Sequence, residues 1–567
     1  MLFALQLALP FLCTTVWLAR DTLAGLPPPP NFPSHIPLRN GDYENWSNEL
    51  SVPNLWFATP SNGKDVQLLA NWAFLNNYTV RASGQMHNWP PMTVTAMNKV
   101  AKNVVLVDTT KKLTAMQLTP SPYPNTSAVR VGCGVTIHNL LTFLEANGLG
   151  VAASPSIGDI TIGGVLAIGG HGTSVLAVGE EAVPGFSYGS ISNLVISLTA
   201  VVWDATTKSY VLKTFKRSEA DTKAFLVNLG RTIITEVVLI VGPNYNLRCE
   251  SRADILSDEL FADPANVHAN SRTFSRFLDE TGRIETIQFP FSNTPWLKKW
   301  SVCTNRPANL LARRVSSPYN YVLTNIFPEF LSMVVGNVTN GLGLINPILG
   351  PAQSLVSTVG NLAFLSFDIW GPSKNLLLYV KSSTLRQTAS GVVVITKQAN
   401  VQSVVSQATA FYKQLLREYS ARGVYPINGV IEIRATALDH HYTVVPDGEA
   451  PLLSPVFPVK DRPDLDTALW IAVLSFDKAP HQAGAFQKIE RFFHDVVEGD
   501  DAVVRVEWSK GYGYSKNGPW TDSEIVGGLV QSKFGVDEWN LAVSTLDRYD
   551  PHRIFSNAYL DKLVVKR

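Results

Sequence analysis

The sequence predicts an α+β protein of two domains, and three observations predict it. At 567 residues the chain exceeds the ~250–300 residues at which one hydrophobic core stops growing. Residues 42–245 alternate short apolar runs with helix-period segments, as strands interleaved with helices do. Beyond Tyr245 the segments lengthen into a second α+β unit covering 246–531, and 532–567 is expected to return to the first unit. Composition agrees with a globular chain: 46% hydrophobic and only 16% charged, against a usual ~25%. A net charge of +1 supplies no electrostatic reason for a nucleic-acid partner.

Taken in order, the chain opens on an apolar run with its first charge at Arg20, then passes Ala24 and Gly25 into Pro27–Pro30. This predicts a secretory leader over 1–24 and a secreted or extracytoplasmic protein. The missing basic residue before the run leaves an uncleaved membrane anchor as the alternative. Residues 25–41 read as a proline-rich linker. Helical spacing follows at 65–75, strands at 80–83, 104–108 and 128–131, and a helix at 137–147 that stops at Gly148. Residues 194–203 and 210–214, joined by a polar turn, predict a β-hairpin, and 233–241 a buried strand. In the second unit the spacing predicts helices at 404–419 and 481–497 and strands at 375–380, 391–395 and 430–435. No period of 20–50 residues recurs, which excludes a solenoid.

Cys13 lies in the leader, so Cys133, Cys249 and Cys303 leave room for one disulfide in the body. No cysteine–histidine spacing suits zinc. Adjacent His440 and His441 point to opposite sides of any strand, so no metal is expected. Glycosylation sequons begin at Asn45, Asn77, Asn125 and Asn337.

Two segments carry the chemistry. Arg81-Ala-Ser-Gly-Gln-Met-His-Asn-Trp89 offers the imidazole of His87 just past a glycine turn. The stretch 154–173 has glycine at 158, 163, 164, 169, 170 and 172, with hydroxyls between them and almost no charge. Glycines allow close backbone approach, and N–H and hydroxyl donors grip an anion without lysine or arginine. The interspersed isoleucines, valine and leucine argue against a solvated linker. Neither a G-x-G-x-x-G turn opening a helix nor a G-K-[ST] loop is present, so the two common nucleotide-binding motifs are excluded. A buried diphosphate cofactor beside a nucleophilic ring nitrogen remains.

With these residues in view, the chain resembles the vanillyl-alcohol-oxidase (PCMH) type of FAD-binding domain. Within that superfamily it is similar to the covalent-flavin cholesterol oxidases. The likeness extends through Asn45-Trp-Ser, Leu106-Val-Asp-Thr-Thr, Tyr188-Gly-Ser, Leu229-Gly-Arg, Phe289-Pro-Phe and Glu507-Trp-Ser-Lys-Gly. The resemblance implies an FAD domain at 42–245 and a substrate-binding cap at 246–531. It implies covalent FAD on His87, with Arg81, Ser83, Gly84, Gln85, Met86 and Asn88 around it. It also assigns to the cofactor Pro155, Gly158, Asp159, Thr161, Gly163, Gly164, Gly169, Gly170, Gly172 and Thr173, together with Val237 on the buried strand. Berberine-bridge-type oxidases carry a second, cysteinyl link from Cys-Pro-Thr-Val-Gly. Here Ser154-Pro-Ser-Ile-Gly158 has no thiol, so attachment through histidine alone is expected.

Glu432 and Arg434 lie two apart on an apolar strand and so share a face. The resemblance places them at the substrate side of the flavin, opposite a second glutamate. Glu285 is the expected partner, with Glu280 five residues earlier as the competitor. The implied chemistry is removal of a hydroxyl proton by Glu432 or Glu285, with Arg434 stabilising the alkoxide and dioxygen as final oxidant. The implied substrate is a sterol or another apolar alcohol, with transient membrane-surface contact to extract it. Trp296, Trp300, Phe289, Tyr319, Tyr321, Phe327 and Trp370 are expected to wall the substrate or to fill the core. Oxidation of a sugar or long-chain alcohol, or flavin or sterol binding without turnover, stand as alternatives.

Overall fold

The computed structural model describes residues 27–95, 103–319, 347–348, 350–351, 354, 365–381 and 386–567. The leader, Asn337, Tyr321 and Phe327 lie outside the described residues.

Two sheets build the first unit. β1 (Leu38–Glu44) pairs antiparallel with β2 (Ser51–Ala58), while β2 and β3 (Thr79–Ser83) run parallel to β4 (Val104–Asp108), in the order β1-β2-β4-β3. The crossover helix α1 (Gly63–Asn76) begins where the Asn62 side chain accepts from Asp65 N and ends at Asn77 in the left-handed region. These caps account for its extent beyond the expected 65–75. The second sheet is antiparallel, in the order β5 (Met116–Thr119), β6 (Ser127–Gly132), β10 (Ile233–Pro243), β8 (Val195–Asp204), β9 (Ser209–Lys216), with β7 (Leu149–Gly150) on the end of β10. Between β6 and β8 lie α2 (Ile137–Ala146) and the short α3 (Ile162–Ala167), capped by Thr136 and Thr161.

The second unit is a nine-stranded sheet ordered β14 (Arg313–Arg314), β15 (Asp368–Pro372), β11 (Asn246–Arg252), β13 (Trp296–Val302), β12 (Arg283–Gln288), β17 (Ile431–Ala437), β18 (Thr467–Ser475), β16 (Thr388–Thr396), β19 (Ala502–Val506). The strand period of two divides its faces. Ile284, Leu297, Ile431, Ile433, Ile471 and Val473 pack under the helices Val401–Ser420 and Gln482–Phe492. The alternate residues Glu285, Lys298, Glu432 and Arg434 face the first unit. A bridge at Ser174 joins the units: Ser174 N donates to Ala435 O and Ala437 N donates to Ser174 O.

Three expectations need correction. Residues 375–380 are not a strand, because the helix Ser373–Leu377 starts after Pro372. A leucine run carries no periodicity to separate the two states. The helix from Gln482 ends at Phe492 and continues as a wider turn over Phe493–Val497. Cys133 and Cys303 are thiols, so the three body cysteines form no disulfide among themselves. Asn45 is 1% exposed and its amide donates to Ser47 Oγ and Trp89 O, which closes the first sequon to glycosylation; Asn77 and Asn125 are exposed.

Residues 532–567 pack on the first unit. The helix Val536–Tyr549 lies against β8, and Ile554 and Phe555 join the core of α1. Behind the cofactor loops, Gly134 passes so close to Thr109 that an added Cβ would sit 1.8 Å from its carbonyl oxygen. Gly134→Ala is therefore expected to destabilise by about 1–3 kcal/mol through overpacking. Thermal unfolding checks this, and an unchanged midpoint would contradict the close approach.

Candidate functional site

The two segments singled out in the sequence meet. β3 delivers Arg81 and Ser83 to the interior, and a Cβ on Gly84 would lie 2.5 Å from Thr161 Oγ1. Around them opens a cavity of about 440 Å³. Its wall includes Arg81, Ser83, Gly84, Gln85, Met86, His87, Asn88, Pro155, Thr161, Gly163, Gly164 and Gly170 from the first unit, and Glu285, Glu432 and Arg434 from the second.

His87 is aimed by its neighbours. Met86 sits at φ +55°, a strained value for a side-chain-bearing residue. Its carbonyl accepts from both Trp46 N and Asn88 N at 2.9 Å, which holds that conformation. The imidazole lies between Trp46 and Trp89, with ring centroids 4.6 and 5.7 Å away. Burial, then Lys510 and Arg386, depress its pKa to about 3. The ring is thus neutral across the working pH range, with a nitrogen lone pair available. Arg81 lines the same cavity. Its guanidinium donates to the carbonyls of Gly230, Met92 and Thr93, tying together three loops of the cavity wall.

The glycine segment acts differently from the expectation. The first-turn N–H groups of α3 are already engaged: Ile162 with Val135 O, Gly163 with Cys133 O, and Gly164 with Thr161 Oγ1. Gly163 and Gly164 thus spend their N–H groups within the fold. Gly158, Asp159, Gly169, Gly172, Thr173 and Val237 are not on the cavity wall. A Cβ on Gly172 would meet Ser154 O at 2.6 Å, and one on Gly158 would meet the His138 Cβ at 2.9 Å, so both are packing glycines. Gly169 takes φ +65° beside Pro455. The Thr173 hydroxyl donates to Ile284 O and Ala435 O, stitching the loop to β12 and β17. Val237 is buried in the core of the second sheet, and Asp159 is exposed.

On the opposite wall, β12 pairs Glu285 with Lys298 of β13 on one side and with Arg434 of β17 on the other. Arg434 Nε donates to Glu285 Oε1 at 2.8 Å and its Nη2 to Glu432. Tyr379 OH donates to Glu285 Oε1 at 2.8 Å, and Lys298 to Oε2. Burial alone would raise the Glu285 carboxyl, but Lys298 and Arg434 hold it well below the usual range. Glu432 is the contrary case. Burial and the charge of Glu285 lift it to about 7 against the pull of Arg434. Glu280 is excluded as the partner, since it pairs with Arg276 on a surface helix.

Sequence reasoning missed several members of this wall. Lys298, Tyr379, Lys510, Glu507 and His171 all line the cavity. The Lys510 ammonium lies 3.9 Å from the centre of the Trp89 ring. Burial would raise Glu507, but Lys510 and His171 bring it to about 2. His171 stacks on Trp470 with centroids 3.4 Å apart. Only the Glu507-Trp-Ser-Lys element carried a signal, through the family likeness. Lys298 and Tyr379 are placed by strand register and a tertiary turn, which no local pattern encodes.

Of the expected aromatics, Phe289 and Trp296 line the cavity with Ile287, Val380, Val430 and Leu474, an apolar wall. Trp300 packs behind, against Tyr379. Tyr319 and Trp370 lie off the cavity under Arg313 and Arg314. A second cavity of about 20 Å³ sits behind Arg434 and Tyr379, also touching His171 and Trp300.

Comparison with known proteins gives a consistent result. Residues 246–565 match the family described as cholesterol oxidase, substrate-binding, and residues 55–209 match the FAD binding domain family. Among solved structures, a solvent-stable cholesterol oxidase is 41% identical with a TM-score of 0.91, covering 95% of this chain and 100% of that one. A cholesterol oxidase from B. sterolicum is 38% identical with a TM-score of 0.91, covering 96% and 100%. More distantly, an L-gulonolactone oxidase of Mus musculus is 26% identical over 244 residues, 42% of this chain and 48% of that protein. The chain thus spans about half the length of the curated relatives it matches.

Proposed function

Because the chain belongs to the cholesterol oxidase family, we propose that it oxidises the 3β-hydroxyl of cholesterol or a related sterol to the ketone, using FAD attached through His87. One observation carries this reading: the neutral, buried imidazole of His87 and the Glu432–Arg434–Glu285 cluster face a single cavity, whose wall beside that cluster carries the apolar side chains of Ile287, Phe289, Trp296, Val380, Val430 and Leu474. A rigid hydrocarbon substrate suits that apolar stretch of the wall.

FAD, when bound, supplies the acceptor for the carbinol hydride. The chain's own residues do the rest. His87 would hold the cofactor at the loop after β3, between Trp46 and Trp89. Glu432 takes the hydroxyl proton, since it alone of the two carboxylates has appreciable proton affinity near neutral pH. Arg434 stabilises the alkoxide as it forms. Enclosure by both units holds the reactants in place, a contribution of about 7–11 kcal/mol in well-oriented systems. Glu432, once ionised again, could also take the proton from C4 of the ketone and return it at C6, which moves the double bond from 5-ene to 4-ene. Dioxygen as final oxidant yields hydrogen peroxide, and the small cavity behind Arg434 and Tyr379 supports a path for a diatomic gas.

The protein acts outside the cytoplasm, on the strength of its apolar N-terminal run, and meets membranes transiently to collect sterol. Exposed Leu310 and Leu311 beside Arg313 and Arg314 support that contact. The test is a peroxide assay on the purified yellow protein with cholesterol, a long-chain alcohol and a sugar lactone. Cholesterol-dependent peroxide is expected, and activity on the lactone alone would overturn the sterol reading.

A further inference from the structure

We propose that Lys298 is a positioning residue for this oxidation: fixed between the rings of Trp296 and Tyr379, it anchors Glu285 as a permanent carboxylate and so reserves proton transfer for Glu432. The inference rests on the oxidase reading above and concerns a residue that neither motif nor spacing marks.

The geometry is specific. Glu285, Lys298 and Arg434 stand directly opposite one another on three adjacent strands, a carboxylate between two cations. The Lys298 side chain is 3% exposed, and its ammonium lies 4.2 Å from the centre of the Trp296 ring and 4.7 Å from that of Tyr379. Aromatic faces stabilise a desolvated cation without competing for its hydrogen bonds. Trp296 is itself held by its Nε1, which donates to Ser251 Oγ at 2.6 Å. Tyr379 donates to Glu285 as well as covering Lys298. A buried carboxylate with two cations and a phenol against it does not accept a proton near neutral pH.

The consequence is a charge count. Two cations and the fixed Glu285 leave one positive charge unpaired once Glu432 has taken the substrate proton. The alkoxide then forms beside that excess charge. Without Lys298 the excess vanishes, and Arg434 alone must serve two carboxylates. Glu285, the more deeply buried of the two, then retains a proton. Its negative charge no longer props up Glu432, which ionises more readily. The charged or titratable groups facing Glu432 are Glu285, Arg434, Tyr379 and Lys510; only the state of Glu285 depends directly on Lys298.

The experiment compares holoenzyme of the parent, Lys298→Met, Lys298→Gln and Lys298→Arg. Two readouts are used: the pH profile of anaerobic flavin reduction by cholesterol, and an infrared titration of the protonated carboxyl band without substrate. In the Met and Gln variants the midpoint is expected to fall by about one unit or more from the parent's, with the plateau rate down about tenfold or more. The Arg variant should keep the parent midpoint. The Gln variant keeps a hydrogen-bond donor to Glu285 and serves if the Met variant does not fold. An unshifted or raised midpoint in the Gln variant overturns the proposal. A parent that reduces no flavin with sterol would overturn the oxidase reading instead, and the infrared titration would still decide the role of Lys298.

Discussion

Glu432→Gln is expected to lower kcat by about 10²–10⁴-fold, the usual contribution of a positioned general base. The parent's kcat/KM should rise with pH through about 7, because burial and the neighbouring Glu285 charge hold the Glu432 carboxyl at that value. The amide cannot ionise, so the variant's profile should lose this limb. The outcome separates the two carboxylates. If Glu285 were the base, the limb would lie below the usual carboxylate range, since Lys298 and Arg434 keep that group ionised. A Gln variant that retains a limb near 7, or loses less than about tenfold in kcat, removes Glu432 from the role.

Stability carries the same group with a definite sign. The folded value of about 7 lies above the ordinary 4.5, so folding favours the protonated form. The contribution is complete below about 4.5 and is lost as pH rises through about 7, where the folded protein also gives up its proton. Between those values the parent's melting temperature should therefore drop more steeply with pH than that of the Gln variant. Equal slopes would mean that Glu432 titrates alike in both states.

His87→Ala should release the flavin. Acid precipitation of the parent is expected to leave the yellow colour with the polypeptide, and precipitation of the variant to leave it in the supernatant. Colour retained by the alanine variant would place the attachment elsewhere. Without a covalent bond, cofactor binding follows mass action. The variant's melting temperature should then climb with added FAD, by the equivalent of about 2.7 kcal/mol at a hundredfold excess over Kd. The parent's should not respond. Since Glu432 and Arg434 are untouched, reconstituted variant should still oxidise sterol.

Much of the fold was legible from periodicity. The strands at 79–83, 104–108, 127–132 and 233–243, the helix of the first crossover and the 195–216 hairpin follow from apolar runs and turn residues with no knowledge of tertiary contacts, whereas β1, β2 and β5 were not legible. The helix at Ser373–Leu377 was not legible, because three consecutive leucines suit either state and a proline boundary with packing on α2 decides between them. The glycine segment was legible as a largely buried loop, but not which of its N–H groups the fold itself would take up. The first-turn N–H groups of α3 are taken by the carbonyls of Cys133 and Val135, just past β6, and by its own cap, a fact that depends on which loop lies beside it. Arg81 was placed at the site but not as a clamp on three carbonyls.

The sequence by itself determined the two-unit α+β organisation, the imidazole beside a glycine-rich turn, and the Glu432–Arg434 pair on one strand face. Each is a local pattern, set within a few residues by backbone period and side-chain size. Only the tertiary structure decided that Glu285 rather than Glu280 completes the cluster, and that Lys298 and Tyr379 belong to it. Strand register places Lys298, Glu285 and Arg434 abreast although 149 positions separate Glu285 from Arg434. The proton affinities of the two glutamates follow from that placement. A carboxylate's pKa is set by the charges and water within a few ångströms, and those neighbours come from strands far apart in the chain.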